Sequence, residues 1–181
     1  MRLVMLDAAE LFDAAVILLY LVGVGGIWSA PQLIHPEVTA GQVFNAAVWG
    51  VHPKVSAGND SLSGGAGNDK LTGGIGADRF DFNGLAELGL ISSTTDTIAH
   101  FKTSEGDKSY LLDLDANDAL AGLQKFNFVG TASTFTGDAT GQLRFDAATH
   151  ILYGSTDVDT AAEFVIVLTG VSSLASADLV L

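Results

Sequence analysis

The sequence predicts an all-β fold: a short parallel β-roll packed on an antiparallel β-sandwich, preceded by an N-terminal apolar extension of helix and strand. Two observations support this prediction. A nine-residue repeat occupies the middle of the chain, and a series of short apolar segments separated by turn residues follows it. With 181 residues, the chain is long enough for one domain with its own core, or for a small domain plus an extension.

The repeat covers residues 55–81 and divides into three blocks of nine, VSAGNDSLS, GGAGNDKLT and GGIGADRFD. The second and third blocks fit the pattern G-G-x-G-x-D-x-U-x, in which U is apolar. The first block has Val55 and Ser56 where the glycine pair should stand. Two kinds of residue recur at the period of nine, namely Asp60, Asp69 and Asp78, and Leu62, Leu71 and Phe80.

The chemistry of each block points to calcium. Glycines allow a six-residue turn with positive φ angles, so backbone carbonyls can converge on an ion. The aspartate supplies the oxygen ligand that calcium prefers. The next three residues form a strand whose middle side chain points inward, which predicts a core stack of Leu62, Leu71 and Phe80. A flexible linker or a run of hairpin turns is the alternative, but neither would keep this phase over three blocks.

Two blocks make one full turn of the roll, so turns on the same edge are expected 18 residues apart. This count predicts that Asp60, Asp78 and Asp96 share one edge. It places Asp69 and Glu87 on the other edge.

The N-terminal extension is defined as residues 1–54, and the roll with its C-terminal half as residues 55–181. The segment Ala14–Trp28 is apolar throughout, which favours a buried helix followed by a strand over a membrane anchor. The extension could also be the remnant of a longer upstream region. The start of the chain lacks the basic residues of a secretory signal. Gln42–Val51 is predicted as a strand that leads into the roll.

Composition limits the possible partners. The formal net charge is −13, from 21 acidic and 8 basic residues. Of these, residues 55–181 contain 17 acids and six bases, a net charge of −11. Such an excess repels nucleic acid and anionic membranes but suits the uptake of divalent cations. The chain has no cysteine, which excludes disulfides and thiolate metal sites.

The segments after the roll alternate polar and apolar residues, and their spacing predicts antiparallel strands rather than βαβ units. These predicted strands are Thr97–Phe101, Tyr110–Leu112, Lys125–Val129, Gln142–Phe145, Ile151–Tyr153 and Glu163–Leu168.

With the roll before them, several motifs resemble the serralysin C-terminal domain of the repeats-in-toxin (hemolysin-type) proteins, which bacteria export by type I secretion. The motifs are Asp96-Thr97-Ile98 with Phe101, Gly106-Asp107-Lys108, Phe126-x-Phe128-x-Gly130, residues 140–146 and the C-terminal residues 176–181. The resemblance implies a secreted, extracellular protein that folds on calcium binding outside the cell. It also implies that a type I exporter recognises the C-terminus.

The resemblance further implies three sets of calcium ligands. One ion would be held by Ser56, Gly58, Asp60, Gly73, Ile75 and Asp78. A second would be held by Gly65, Gly67 and Asp69, with Gly84 and Glu87 nearby. A third would be held by Gly74, Gly76, Asp78 and Asp96. Because Ser109-Tyr110-Leu111-Leu112 departs from the family pattern, a late site at Asp107 is not expected.

Other motifs do not predict catalysis. The chain contains no H-E-x-x-H and no G-x-S-x-G, so neither a zinc protease helix nor a lipase elbow is expected. Asp113-x-Asp115-x-Asn117 lacks the glycine and the glutamate of an EF-hand. Asp157, Asp159 and Glu163 indicate a solvated turn. We therefore expect a non-catalytic calcium-binding module; the alternative is the C-terminal part of a serralysin-like protease or another secreted hydrolase whose catalytic part lies outside this chain.

Overall fold

The computed structural model describes the backbone of residues 43–45 and, in full, residues 57–90 and 95–181. The predicted helix and strand within Ala14–Trp28, and the predicted ligand Ser56, lie outside these residues. The structure contains eleven strands and three single-turn 3-10 helices in the described part of the chain. The all-β class is therefore confirmed. The strands are β1 (Val43–Asn45), β2 (Ser61–Ser63), β3 (Lys70–Thr72), β4 (Arg79–Asp81), β5 (Asp96–Ala99), β6 (Lys108–Tyr110), β7 (Asn127–Thr131), β8 (Gln142–Asp146), β9 (Ile151–Gly154), β10 (Phe164–Thr169) and β11 (Leu179–Val180).

Two sheets form the fold. The five-stranded sheet has the order β1-β2-β4-β6-β11, and all of its neighbouring strands are parallel. The six-stranded sheet has the order β3-β5-β10-β9-β8-β7. Successive strands of the repeat alternate between the two sheets, which is the winding of a parallel β-roll. The strand predicted in Gln42–Val51 is present as β1, and it pairs with β2 in the five-stranded sheet.

The antiparallel part is smaller than the sequence suggested. Only β8, β9 and β10 form antiparallel pairs along their length, and they continue the sheet that begins with β3 and β5. The predicted strands at 97–101 and 110–112 correspond to β5 and β6, which extend the roll as parallel strands. The two halves of the chain therefore share both sheets.

One hydrophobic core lies between the sheets. The three apolar residues of the repeat are completely buried in it, as predicted, and Ile98 of β5 joins them. Leu143, Leu152 and Ile166 of the antiparallel strands belong to the same cluster. Burial of each such side chain contributes about 1.5–3 kcal/mol, so the roll and the antiparallel strands stabilise one another through a common core.

The C-terminal segment is part of this structure. Leu179 is buried, and β11 pairs with β6 at the end of the five-stranded sheet. The backbone N–H of Leu111 donates to the carbonyl of Val180 over 2.9 Å. The last residues of the chain are therefore an edge strand of the folded domain.

Candidate calcium sites in the roll

Six-residue turns link the first strands of the roll, and each strand from β2 to β4 is preceded by an aspartate of the repeat. Asp60, Asp69 and Asp78 are 2%, 0% and 1% exposed. Full burial of three carboxylates in neighbouring turns is costly unless hydrogen bonds or cations compensate them. The turns therefore concentrate negative charge at the two edges of the roll.

On the first edge, the turns that end at Asp60 and Asp78 lie side by side. The backbone N–H of Asp60 donates to Oδ1 of Asp78 over 3.0 Å. The N–H of Gly58 donates to the carbonyl of Ile75 over 2.8 Å. This is the pair of turns predicted to hold one ion, except that Ser56 is outside the described residues.

Two glycines of these turns have no room for a side chain. A Cβ at Gly73 would lie 2.1 Å from Oδ2 of Asp78. A Cβ at Gly76, where φ is +132°, would lie 2.0 Å from the carbonyl oxygen of Gly58. The glycines of the repeat thus let the turns approach each other and leave space beside the Asp78 carboxylate.

On the second edge, the structure corrects the predicted register. Asp96 lies beside Asp69 rather than Asp78, because the N–H of Asp69 donates to Oδ1 of Asp96 over 2.9 Å. β5 pairs with β3 in the same register. In the predicted third site, Gly74, Gly76 and Asp78 share an ion with Asp96. That prediction is wrong, because Asp96 lies on the other edge of the roll, beside Asp69.

The cause lies in the fourth block, residues 82–90. A strict period of nine treats this block as another strand, but the chain forms a loop with the 3-10 helix Leu85–Glu87, and Gly89 makes a single bridge to Val165. Because residues 82–90 add no strand to the roll, β5 joins the six-stranded sheet, whereas a strict period of nine would place it in the five-stranded sheet. The second edge consequently continues from Asp69 to Asp96, and Glu87 instead accepts the backbone N–H of Asn83 over 3.0 Å.

Asp107 takes the place on the first edge that the sequence assigned to Asp96. Its Oδ1 accepts the N–H of Asp78 over 2.9 Å, and β6 pairs with β4. The motif Gly106-Asp107-Lys108 before a strand was the available signal. The departure of Ser109-Tyr110-Leu111-Leu112 from the family pattern argued against a site there, and in the structure Ser109 is buried and pairs with Phe80. We call the turns ending at Asp60, Asp78 and Asp107 the Asp60 edge, and those ending at Asp69 and Asp96 the Asp69 edge.

Burial perturbs the acids of both edges. Desolvation raises the pKa of Asp78 to about 6, with smaller contributions from the charges of Asp107, Asp60 and Glu105, although the hydrogen bond from Asp60 opposes it. Desolvation likewise raises the pKa of Asp96 to about 7, helped by the charges of Asp69 and Glu87. The pKa of Asp107 is also raised, again mainly by burial. Without a cation, these sites therefore hold their negative charge poorly.

Oxygen atoms without donors mark where a cation fits. Within residues 57–90 and 95–181, Oδ2 of Asp78 and Oδ2 of Asp96 are buried and receive no hydrogen bond. A buried carboxylate oxygen without a partner is strongly unfavourable, and a hard divalent cation would satisfy it. The carboxylates and the adjacent turn carbonyls thus form the all-oxygen environment that calcium prefers. The turn glycines, Gly65 and Gly67 on the Asp69 edge and Gly74 on the Asp60 edge, have positive φ.

The acidic groups outside the roll are engaged in turns. Ligand oxygens of Asp157, Asp159 and Glu163 lie within 4.8 Å of one another. Their carboxylates accept backbone N–H groups of nearby residues, which agrees with the solvated turn expected from the sequence. Asp115 similarly accepts the N–H groups of Asn117 and Gln124.

Residues 55–84 match a family model described as the RTX calcium-binding nonapeptide repeat (4 copies). The chain therefore contains RTX repeats, and these repeats bind calcium. No curated protein sequence matches the chain.

Two solved structures from Azotobacter vinelandii are similar to the chain, and both are subunits of a mannuronan C5-epimerase. AlgE6R3 is 24% identical with a TM-score of 0.43, and the match covers 84% of this chain and 86% of AlgE6R3. AlgE6R2 is 22% identical with a TM-score of 0.45, and the match covers 77% of this chain and 86% of AlgE6R2.

No helix in the described part of the chain is long and apolar enough to cross a membrane.

Proposed function

We propose that this chain is a non-catalytic calcium-binding module of a type I secreted bacterial protein, which folds when it meets calcium outside the cell. The observation that carries the proposal is the pair of buried, donor-free oxygens of Asp78 and Asp96. They lie on the two different edges of a roll whose repeats bind calcium. The module would then remain unfolded at cytosolic calcium and fold at the millimolar calcium outside.

The proposed ligands follow the edges of the roll. Carbonyls of Ser56, Gly58, Gly73 and Ile75, with the carboxylates of Asp60 and Asp78, would hold an ion on the Asp60 edge. Gly65, Gly67, Asp69 and Asp96 would hold an ion on the Asp69 edge. When bound, calcium would neutralise the buried carboxylates and thereby stabilise the turns between the strands.

Export through the C-terminus is also part of the proposal. The last residues form β11, which is paired and partly buried once the domain is folded. An exporter that reads this segment would therefore have to bind the chain before folding. This order is compatible with folding that waits for external calcium.

The proposal is tested by measuring calcium content and far-UV circular dichroism of the full chain, with millimolar calcium and with excess chelator at neutral pH. We expect bound calcium and a β-type spectrum in the first condition, and loss of most β structure in the second. An unchanged spectrum in chelator would show that calcium does not drive folding. Export is tested separately, by the appearance of the chain in the medium of cells with and without a type I exporter.

A further inference from the structure

The last turn of the Asp60 edge differs from the turn that ends at Asp78 because protein donors reach every carboxylate oxygen in it. Asp107 accepts the N–H of Asp78 at Oδ1 and the N–H of Lys102 at Oδ2, over 2.9 and 2.8 Å. Glu105 accepts the N–H of Gly76 at Oε2 over 2.9 Å. Its Oε1 lies 2.6 Å from the ammonium group of Lys102. Each carboxylate oxygen of Glu105 and Asp107 therefore already has a donor from the protein.

The carboxylates of Asp78 and Asp96 differ from those of Glu105 and Asp107 in their hydrogen bonding. Oδ2 of Asp78 and Oδ2 of Asp96 are buried and receive no donor from the part of the chain that the structure describes. Those two oxygens need a cation, whereas the oxygens of Glu105 and Asp107 already have hydrogen bonds from the protein. Calcium would have to displace these hydrogen bonds before it could use either residue as a ligand.

Lys102 supplies the positive charge at this turn. Both its backbone N–H and its ammonium group are directed to the acids of the turn. The hydrogen bond with Glu105, followed by the charges of Glu105, Asp107 and Asp78, raises the pKa of Lys102. The same hydrogen bond is the main reason that the pKa of Glu105 is lowered. The ammonium group therefore pairs with Glu105 at the end of the roll and adds a positive charge near Asp107 and Asp78.

The chain places Lys102 there by a short turn. Lys102 follows β5 and precedes the 3-10 helix Thr103–Glu105, and Gly106 ends that helix with a φ of +92°. The left-handed conformation of Gly106 reverses the chain and brings Asp107 to the start of β6. Glu105 and Asp107 follow Lys102 by three and five positions in the sequence. The arrangement is therefore local, and the turn itself sets its geometry.

We propose that Lys102 is a tethered cation that replaces calcium at the last turn of the Asp60 edge, so that the calcium sites on this edge end with the Asp60–Asp78 pair. This inference rests on the proposed calcium-binding function. Gly74 and Gly76, which the sequence assigned to a third ion, would then face a calcium-free turn formed by Lys102, Glu105 and Asp107, while Asp78 remains a ligand of the ion it shares with Asp60.

The test counts the calcium ions bound by the full chain at millimolar calcium, using equilibrium dialysis or native mass spectrometry. Glu105→Gln should bind as many ions as the wild type, while Asp78→Asn should bind one fewer. Lys102→Met removes the ammonium group from Oε1 of Glu105, while the backbone N–H of residue 102 still donates to Asp107, and it should bind one ion more. Lys70→Met is the matched control, since Lys70 is an exposed lysine of β3, and it should leave the count unchanged.

Loss of one ion in Glu105→Gln would overturn the inference, because Glu105 would then be a ligand. An unchanged or lower count in Lys102→Met would also overturn it. Circular dichroism in calcium verifies that each variant folds, and if Lys102→Met does not fold, the comparison of Glu105→Gln with Asp78→Asn decides. A wild-type chain that binds no calcium would instead refute the proposed function, so the two failures are distinguishable.

Discussion

The backbone N–H of Asp69 donates to Oδ1 of Asp96 across 27 residues of sequence, over 2.9 Å. The corresponding donor for Asp78 is Asp60, 18 residues away. The two edges of the roll therefore close over different lengths of chain, because residues 82–90 form a loop rather than a strand. This difference determines which acids share a calcium site.

Asp69 and Asp96 should hold one ion, and Asp78 another. We expect the double variant Asp69→Asn/Asp96→Asn to lose a single calcium ion, since both residues face the same site. The double variant Asp78→Asn/Asp96→Asn should lose two ions. Ion counts at millimolar calcium check this, with the exposed Asp113→Asn as control. If the first double variant lost two ions and the second lost one, Asp96 would share a site with Asp78, as the 18-residue register predicted.

Gly73 should not tolerate a methyl group. An alanine Cβ there would lie 2.1 Å from Oδ2 of Asp78, so the carboxylate or the turn must move. We expect Gly73→Ala to destabilise the calcium-loaded fold by about 1–3 kcal/mol, as overpacking does, and to raise the calcium midpoint.

Gly84→Ala is the matched control for this substitution. Gly84 has an extended backbone with φ of 178°, and its Cβ would meet no atom within 4 Å. Gly84→Ala should therefore leave stability unchanged, or raise the free energy of unfolding by about 0.4–1 kcal/mol, because alanine lowers the conformational entropy of the unfolded chain. Urea unfolding in calcium measures both variants. Equal losses of stability would contradict the close approach of Gly73 to Asp78.

Without calcium, acid should stabilise the fold. The pKa values of Asp78 and Asp96 are raised from 3.8 to about 6 and about 7, so the folded state binds protons more strongly than the unfolded state. Their stabilising contribution is complete below about pH 4, the ordinary aspartate range, and is lost as the pH rises through 6 and 7. In calcium-depleted buffer, the folded fraction measured by far-UV circular dichroism should therefore decrease between pH 5 and pH 8.

The variant Asp78→Asn/Asp96→Asn tests the cause of this pH dependence, because it removes both titrating groups. Its folded fraction in calcium-depleted buffer should change less between pH 5 and pH 8 than that of the wild type. A wild-type folded fraction that rises with pH would contradict the raised pKa values. Protons should also be released when calcium is added near pH 6.5 in weak buffer.

The C-terminal strand should contribute to stability as well as to export. Leu179 is buried in the common core, and truncation of a buried leucine typically costs about 2–5 kcal/mol. We expect Leu179→Ala to lower the urea midpoint in calcium, whereas Ala177→Ser on the exposed side should not. A wild-type midpoint for Leu179→Ala would show that β11 does not stabilise the fold.

The nine-residue unit of this protein could be predicted from its sequence. The spacing of Gly, Asp and an apolar residue predicted the six-residue turns, the short strands and the burial of Leu62, Leu71 and Phe80. It could do so because each block forms its turn and strand from its own nine residues. The calcium chemistry followed from the same local pattern, since the aspartate and the turn carbonyls come from adjacent positions.

The pairing of the turns after the third block depends on long-range contacts and became visible in the folded chain. A period of nine assigns a strand to the end of residues 82–90, with Gly89 at its inward position, yet these residues form a loop with a 3-10 helix. Asp96 therefore moves to the Asp69 edge, and Asp107 reaches the Asp60 edge although Ser109 breaks the apolar pattern. Strand pairing is a non-local choice, made by packing against β10 and β4, and no single block of the sequence contains that information.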